Sequence, residues 1–227
     1  PIVSMDIPSG VHPDSGQIMG AAIKATMTIT FISHKLCFYL GEGKNLSGVI
    51  KCSHLDISQR HFTRITEDMK IINKSYTKKK LLRRKSDTHK GDYGHVLIVG
   101  GGPGMHGAAL LSGESSLRGG AGKVTIFMHE SHRSLINKAR PELMLIFSNE
   151  GINIESILSK VDVVAIGPGL GLDDWARSVF KHVIKSNKPL VVDADALNIL
   201  SEKNFKREDW VLTPHPGEAA TLLSKSS

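Results

Sequence analysis

Short, almost wholly apolar runs recur along the chain from residue 95 onwards, and each is followed by a stretch of helical character. Continuous apolar runs indicate strands that are buried on both faces, which is typical of parallel sheets. The alternation of the two patterns predicts an α/β domain with a doubly wound parallel sheet and right-handed crossovers. The predicted strands are HVLIVG (95–100), KVTIFM (123–128), LMLIF (143–147), VDVVAIG (161–167), LVVDAD (190–195) and WVLTP (210–214). The predicted helices are 107–119, 131–139, 153–160, 173–187 and 195–201, with a further helix that begins at 216.

The first 58 residues carry fewer elements and are too short to predict an independent domain. A strand in PIVSMDI ends at Asp6, and GAAIKA at 20–25 is helix-like. Strands are also predicted for TMTITF (26–31), which is rich in β-branched residues, and for VIKCSHLDI (49–57), which alternates. The chain opens without an initiator Met and without the layout of a signal peptide, so we expect it to begin inside a domain.

The net charge of +7 comes from one segment. Residues 59–90 hold eleven Lys and Arg against three acids, so the rest of the chain is close to neutral. We interpret residues 59–86 as a solvated connector with a helix over 66–75 that begins after Thr66, and we expect no nucleic-acid partner. The alternative is that the run KKKLLRRK at 78–85 contacts phosphate backbones.

Cysteine usage and the apolar pattern indicate the cellular setting. Cys37 and Cys52 are too few for a disulfide scaffold and lack metal-ligand spacing, so we expect two small buried residues in a cytoplasmic protein. No apolar run approaches the length of about 18 residues that a membrane helix needs, so no membrane partner is expected.

Four segments that follow predicted strands are the candidate ligand site, because ligands of open α/β sheets bind at the carboxyl ends of the strands. They are GGGPGMHG (100–107), GPGLG (167–171), DADALN (193–198) and TPHPGE (213–218).

The first of these segments contains G-x-G-x-x-G at Gly102, Gly104 and Gly107. Such a loop brings backbone N–H groups and a helix start close to an anion. It is not a Walker A loop, because Ala108 and Ala109 stand where Lys and Ser or Thr are needed. A dinucleotide-binding loop and a turn needed only for close packing both remain open, and GPGLG has the same two interpretations.

The other two segments carry polar side chains. Asp193 and Asp195 stand at a strand end, where one is a candidate cap for the next helix and one a candidate to face the cleft. His215 stands at a strand-to-helix turn, where the helix start favours the neutral ring within reach of a ligand. The alternative is a turn histidine without a partner.

Six segments, taken in order, resemble the ADP/ATP-dependent NAD(P)H-hydrate dehydratases, a ribokinase-like family. An earlier segment, SMDIPSGVHPDSGQIMGAAIKATMTITF (4–31), resembles the last part of the NAD(P)H-hydrate epimerase domain. The resemblance implies the C-terminal part of a Rossmann-like epimerase domain at 1–58, a connector at 59–86 and the N-terminal part of a three-layer dehydratase domain at 87–227. The six segments are HKGDYGHVLIVGGGPGMHGAALL (89–111), RGGAGKVTI (118–126), PELM (141–144), IGPGLG (166–171), VVDADALN (191–198) and LTPHPGEAATLL (212–223).

The resemblance also implies an activity, which is the repair of hydrated nicotinamide nucleotides. The epimerase interconverts the R and S hydrates with the help of K⁺, and the dehydratase uses ADP or ATP with Mg²⁺ to turn the S hydrate back into NAD(P)H. The family is expected to form homo-oligomers. The implied substrate contacts are Asp6, Ala108, Gly169 or Gly171, and His215, and the implied potassium ligand is Ser9.

The family's catalytic Asp lies in a G-[ST]-G-D loop that these 227 residues do not contain. We therefore expect a fragment or a truncated copy of the bifunctional enzyme, without either full activity. Three alternatives stay open: a nicotinamide-dependent dehydrogenase, a ribokinase-like kinase of a vitamin precursor, and a non-catalytic nucleotide binder.

Overall fold

The computed structural model describes residues 1–61, 69–81, 86–134, 140–148, 153–203, 205 and 207–224. The chain divides into two compact units, residues 1–82 and 83–227. The boundary between the units falls inside the segment that the sequence predicts to be a connector.

Unit 1 is built on a three-stranded parallel sheet in the order β1-β2-β3. Its core contains Val11, Cys37 and Phe38, while Cys52 is only half-buried. The predicted strands therefore form, although each is shorter than its sequence pattern. The elements are β1 (Val3–Met5), β2 (Met27–Phe31), α1 (Gly43–Leu46), β3 (Val49–Ser53) and α2 (Lys74–Lys80), with short 3-10 helices at Leu36–Phe38 and Gln59–His61.

The helix predicted over 20–25 does not form. The Ile23 N–H donates to the Ser9 carbonyl and the Met19 N–H to the Gly10 carbonyl, so this segment pairs with the preceding turn. A Cβ at Gly10 would lie 1.9 Å from the Ala21 oxygen, which shows how closely the two segments approach. Contacts between segments therefore override the local helix propensity.

The connector helix begins later than predicted. Thr66 and residues 67–68 lie outside the described residues, and 69–73 are not helical. The helix α2 begins after Asn73, whose side chain accepts from the Tyr76 N–H at 2.9 Å. An asparagine cap explains this start, because it satisfies an N–H group that has no partner in the first turn.

Unit 2 contains a six-stranded sheet in the order β6-β5-β4-β7-β8-β9, and every neighbouring pair is parallel. Each predicted strand is present. The order of the strands reverses between β4 and β7, which makes that position the topological switch point of the sheet. The strands are β4 (His95–Val99), β5 (Lys123–Met128), β6 (Met144–Phe147), β7 (Val163–Ile166), β8 (Leu190–Val192) and β9 (Trp210–Leu212).

Helices cover both faces of this sheet. Leu97 and Val99 of β4 pack in one core cluster with α4, α5 and α6, whereas Ile98 packs in a second cluster with Ala109 of α3. The continuous apolar runs are thus explained by burial on both faces, and the predicted three-layer α/β fold is confirmed. The helices are α3 (His106–Gly119), α4 (Ile154–Leu158), α5 (Asp174–Ile184), α6 (Asp195–Ser201) and α7 (Pro216–Ser224), with 3-10 helices at Lys90–Tyr93 and Glu130–His132.

The helix predicted over 131–139 is reduced, in its described part, to the 3-10 turn at Glu130–His132, and 135–139 lie outside the described residues. Among the residues that the structure describes, no helix has both the length and the apolar character needed to span a bilayer.

Candidate functional site

The two glycine-rich loops meet at the switch point of the unit 2 sheet. The Gly101 N–H donates to the Pro168 carbonyl at 3.2 Å, and the Gly102 N–H donates to the Gly169 carbonyl at 2.7 Å. The loops after β4 and β7 therefore form one hydrogen-bonded layer at the carboxyl edge of the sheet.

The glycines of the first loop fall into two groups. A Cβ at Gly100 would lie 2.2 Å from the Pro168 oxygen, and one at Gly102 would lie 2.4 Å from the Leu170 oxygen. Within the described part of the chain, a Cβ at Gly104 or Gly107 would meet no heavy atom within 4 Å. Packing thus explains Gly100 and Gly102, while Gly104 and Gly107 border open space beside the start of α3.

Ala108, Gly169 and Gly171 come together around Met105. A Cβ at Gly169 would lie 3.2 Å from the Ala108 Cβ and 3.0 Å from the Met105 Cβ. A Cβ at Gly171 would lie 3.2 Å from the Met105 Cε. The structure therefore gathers three of the predicted substrate-binding residues into one small patch.

The two aspartates each tie one loop to the next. The Gly171 N–H donates to Asp195 Oδ2 at 2.8 Å, and the Thr213 hydroxyl donates to Asp193 Oδ1 at 2.7 Å. The prediction that one of them caps α6 is wrong, because Ala194 occupies the cap position and no side chain caps that helix. Ala194 has φ 47° and ψ −124°, a strained conformation of the kind that clusters at functional sites.

His215 begins α7 as a reciprocal cap. The Gly217 and Glu218 N–H groups donate to His215 Nδ1 at 3.0 and 3.3 Å, and the His215 N–H donates to Glu218 Oε2 at 2.8 Å. Because Nδ1 accepts, the ring proton sits on Nε2, which lies 3.4 Å from Glu218 Oε1 on a side chain that is 68% exposed. The alternative of a turn histidine without a partner is therefore wrong. His215 lies on the fourth loop of the same edge, after β9, beyond the Asp193–Thr213 link.

Sequence reasoning missed His132. This residue is 4% exposed, and its Nε2–H donates to the Gly102 carbonyl at 2.9 Å. The ring of His106, the first residue of α3, lies 4.9 Å from it, centroid to centroid. The only sequence signal for this contact was the position of a histidine shortly after the end of β5. The local sequence around His132 does not indicate that it pairs with a glycine 30 residues away.

Asp6 in unit 1 lies directly after β1 with φ 66°. Its Oδ1 accepts from the Phe31 N–H at 3.2 Å, from the Thr30 hydroxyl at 3.0 Å and from Lys35 Nζ at 2.8 Å. The hydrogen bond from Lys35 is the main reason why the pKa of Asp6 lies below its ordinary value. Ser9 is exposed in the turn that follows, and its carbonyl accepts from the Ile23 N–H.

Within the described ranges, no group of three or more His, Cys, Asp or Glu is placed to hold a metal ion.

Residues 96–227 match the family model described as NAD(P)H-hydrate dehydratase, and residues 1–37 match the model described as YjeF-related protein N-terminus. The bifunctional NAD(P)H-hydrate repair enzyme Nnr of Coxiella burnetii is 40% identical over 99% of this chain and 46% of its own length. The chain spans about half the length of the curated relatives it matches.

Two solved structures share the fold. A ribokinase-like superfamily protein of Enterococcus faecalis is 30% identical, with a TM-score of 0.58 over 64% of this chain and 55% of its own. The ADP/ATP-dependent NAD(P)H-hydrate dehydratase of Bacillus subtilis, co-crystallised with ATP and Mg²⁺, is 28% identical, with a TM-score of 0.55 over 67% of this chain and 55% of its own. The family match covers more than half of the residues and contains the whole loop edge described above, and the chain therefore belongs to the NAD(P)H-hydrate dehydratase family.

Proposed function

We propose that this chain acts in the repair of hydrated nicotinamide nucleotides. In this proposal, residues 87–227 belong to a dehydratase that converts the (6S) hydrate of NADH or NADPH to NAD(P)H at the expense of ADP or ATP. Residues 1–58 belong to an epimerase that interconverts the R and S hydrates, and residues 59–86 connect the two. The names of the Coxiella and Bacillus proteins support the proposal.

The observation that carries the proposal is the patch of Ala108, Gly169 and Gly171. It lies beside Gly104 and Gly107, which border open space, and beside the start of α3, a helix of 14 residues whose first N–H groups suit an anion. A dinucleotide carries both a flat ring and a pyrophosphate, so it would use the glycine surface and the helix start together. His215, which carries Nε2–H on the fourth loop, would donate a hydrogen bond to the same ligand.

Phosphoryl transfer depends mainly on positioning and charge stabilisation. The hydroxyl of the hydrate would receive the phosphoryl group, and loss of phosphate would restore NAD(P)H. In this scheme the residues of the chain bind and orient the hydrate. Mg²⁺ would bind together with the phosphates of the nucleotide, since this ion is usually held by substrate phosphates and one or two carboxylates.

For the epimerase part, we propose that Asp6 contacts the hydrate and that K⁺ is held at Ser9. The family resemblance further supports a cytoplasmic homo-oligomer.

The test is Ala108→Arg, measured by calorimetric titration of the chain with the (6S) hydrate of NADH. An arginine next to Gly169 fills the patch, so we expect the Kd to rise at least about tenfold, or about 1.4 kcal/mol. The matched control is Ser115→Arg, an exposed position on the same helix. An unchanged Kd for Ala108→Arg would show that the loop after β4 is a packing turn that does not contact the ligand.

The same titration separates the alternatives. A dehydrogenase would bind NADH itself as well as its hydrate and would transfer hydride to a second substrate. A vitamin-precursor kinase would bind neither nicotinamide form, whereas a non-catalytic binder would bind the nucleotide without turnover.

A further inference from the structure

Lys35 connects two features at the carboxyl edge of the unit 1 sheet, the Asp6 carboxylate and a cavity. Its Nζ donates to Asp6 Oδ1 at 2.8 Å, to the Phe31 carbonyl at 2.9 Å, and at 3.3 Å to both Thr30 Oγ1 and the Ser33 carbonyl. These four acceptors surround an ammonium group that has three protons. Unlike the usual surface ion pair, this side chain is therefore held in one position.

The backbone on either side also holds Lys35 in place. The residue directly precedes the 3-10 helix Leu36–Phe38, whose Cys37 and Phe38 side chains are 0% and 2% exposed. The Lys35 side chain is 26% exposed and that of Asp6 is 45% exposed, so the pair lies at the rim of the core.

The donors to Asp6 meet only one of its two oxygens. Among the described residues, Lys35, Thr30 and the Phe31 N–H all donate to Oδ1. Oδ1 is therefore engaged within the fold, and Oδ2 is the oxygen left to accept from a ligand. Asp6 also has φ 66°, which costs a non-glycine residue free energy and persists only where the surroundings impose it.

The stem of Lys35 lines a cavity of about 660 Å³ that lies wholly within unit 1. His34 and Tyr39, with stacked rings, stand beside it in the wall, which also contains Tyr76 and Lys79 of α2 and residues of the 69–73 segment. The volume lies in the range of small-molecule sites, and aromatic rings with ammonium groups suit a planar, anionic ligand.

We propose that Lys35 is the positioning residue of this site: it holds Asp6 by Oδ1, which leaves Oδ2 to a nucleotide, while Lys35 itself lines the cavity that would take up the rest of that nucleotide. The inference rests on the proposed function for the role of Asp6 as a substrate contact. Lys35 acts through Asp6 and through the wall of the cavity. The lowered pKa of Asp6 supports the same geometry, because it keeps the carboxylate ionised and able to accept.

The experiment follows Asp6 directly, by NMR titration of its carboxyl carbon in the 227-residue chain. Asp6 in the unchanged chain should titrate below the ordinary aspartate range. Lys35→Met should raise the Asp6 pKa, Lys35→Arg should keep it low, and Lys24→Met, an exposed control in the same unit, should not change it. A normal or raised Asp6 pKa in the unchanged chain would overturn the proposal, and this measurement needs no variant to fold.

Ligand binding provides the second readout, in the Ala108→Arg background that silences unit 2. Calorimetry with the hydrate of NADPH near neutral pH should show a Kd about tenfold higher for Lys35→Met, with rescue by Lys35→Arg. Equal Kd values for the methionine variant and the unchanged residue would overturn the positioning role. No hydrate binding in the Ala108→Arg background would overturn the nucleotide site in unit 1. No hydrate binding in the unchanged chain, with the Asp6 titration still governed by Lys35, would contradict the proposed function instead.

Discussion

Glycines in the loop after β4 have different structural roles. Gly100 is needed because the loop after β7 passes against its Cα, whereas Gly107 borders open space in the first turn of α3. The motif therefore combines a packing requirement with an access requirement. A match to G-x-G-x-x-G does not tell the two apart.

Gly100→Ala should destabilise unit 2 by about 2 kcal/mol, because the new Cβ would lie 2.2 Å from a backbone oxygen that cannot yield without moving the loop. Gly107→Ala should instead stabilise it by about 0.5–1 kcal/mol, since alanine loses less conformational entropy in a helix. Urea unfolding of both variants measures the two effects. Equal free energies of unfolding would show that the loops are not packed as described.

At the scale of elements, the loops at the carboxyl edge are linked in series by side chains. Asp195 holds the loop after β7, Asp193 holds the loop after β9, and His215 starts the helix that follows. Each of these residues is polar and lies on a loop at the proposed ligand edge, and its contacts in the structure are within the fold. Structural and ligand-binding roles therefore have to be separated by experiment.

His215→Ala should lower the free energy of unfolding by about 1 kcal/mol, the usual cost of removing a helix cap. His215→Asn should recover most of this loss, because an asparagine side chain also accepts from N–H groups in the first turn. If His215 also donates Nε2–H to the hydrate, the asparagine variant should still bind it several-fold more weakly. Full recovery of both stability and hydrate affinity would show that His215 is a helix cap without a role in hydrate binding.

At the scale of the whole molecule, both units contain carboxylates whose pKa is lowered by a cation. Asp6 pairs with Lys35 in unit 1, and Glu114 pairs with Arg140 and Arg118 in unit 2. A carboxylate with a lowered pKa in the folded state contributes stability above its unfolded pKa. That contribution is lost as the pH falls through the folded value.

We therefore expect the free energy of unfolding of both units to be insensitive to these groups from neutral pH down to about pH 5, and to fall below about pH 4. Glu114→Gln should make this acid dependence less steep in unit 2, whereas Glu208→Gln, at an exposed carboxylate, is the matched control. Urea unfolding at a series of pH values measures the slopes. A slope for Glu114→Gln equal to that of the unchanged chain would contradict the assignment.

Much of the fold could be predicted because a strand buried on both faces of a sheet is a continuous apolar run in the sequence. The run at 163–166 is apolar throughout since β7 lies in the middle of the sheet. The helix predicted at 20–25 does not form because backbone hydrogen bonds of this segment go to the turn at residues 9–10. His132 was missed for the same reason, since its partner Gly102 is adjacent only once β4 and β5 are paired.

The sequence by itself determined the strands of the larger sheet, the four loops at their carboxyl ends and the family, because periodicity and ordered motifs are properties of contiguous residues. Only the tertiary structure decided that Gly100 packs while Gly107 is open, that Asp193 and Asp195 hold loops and do not cap α6, and that Lys35 holds Asp6. These contacts join segments that are far apart in the chain. Their geometry depends on strand order and on hydrogen bonds between loops, which no local pattern encodes.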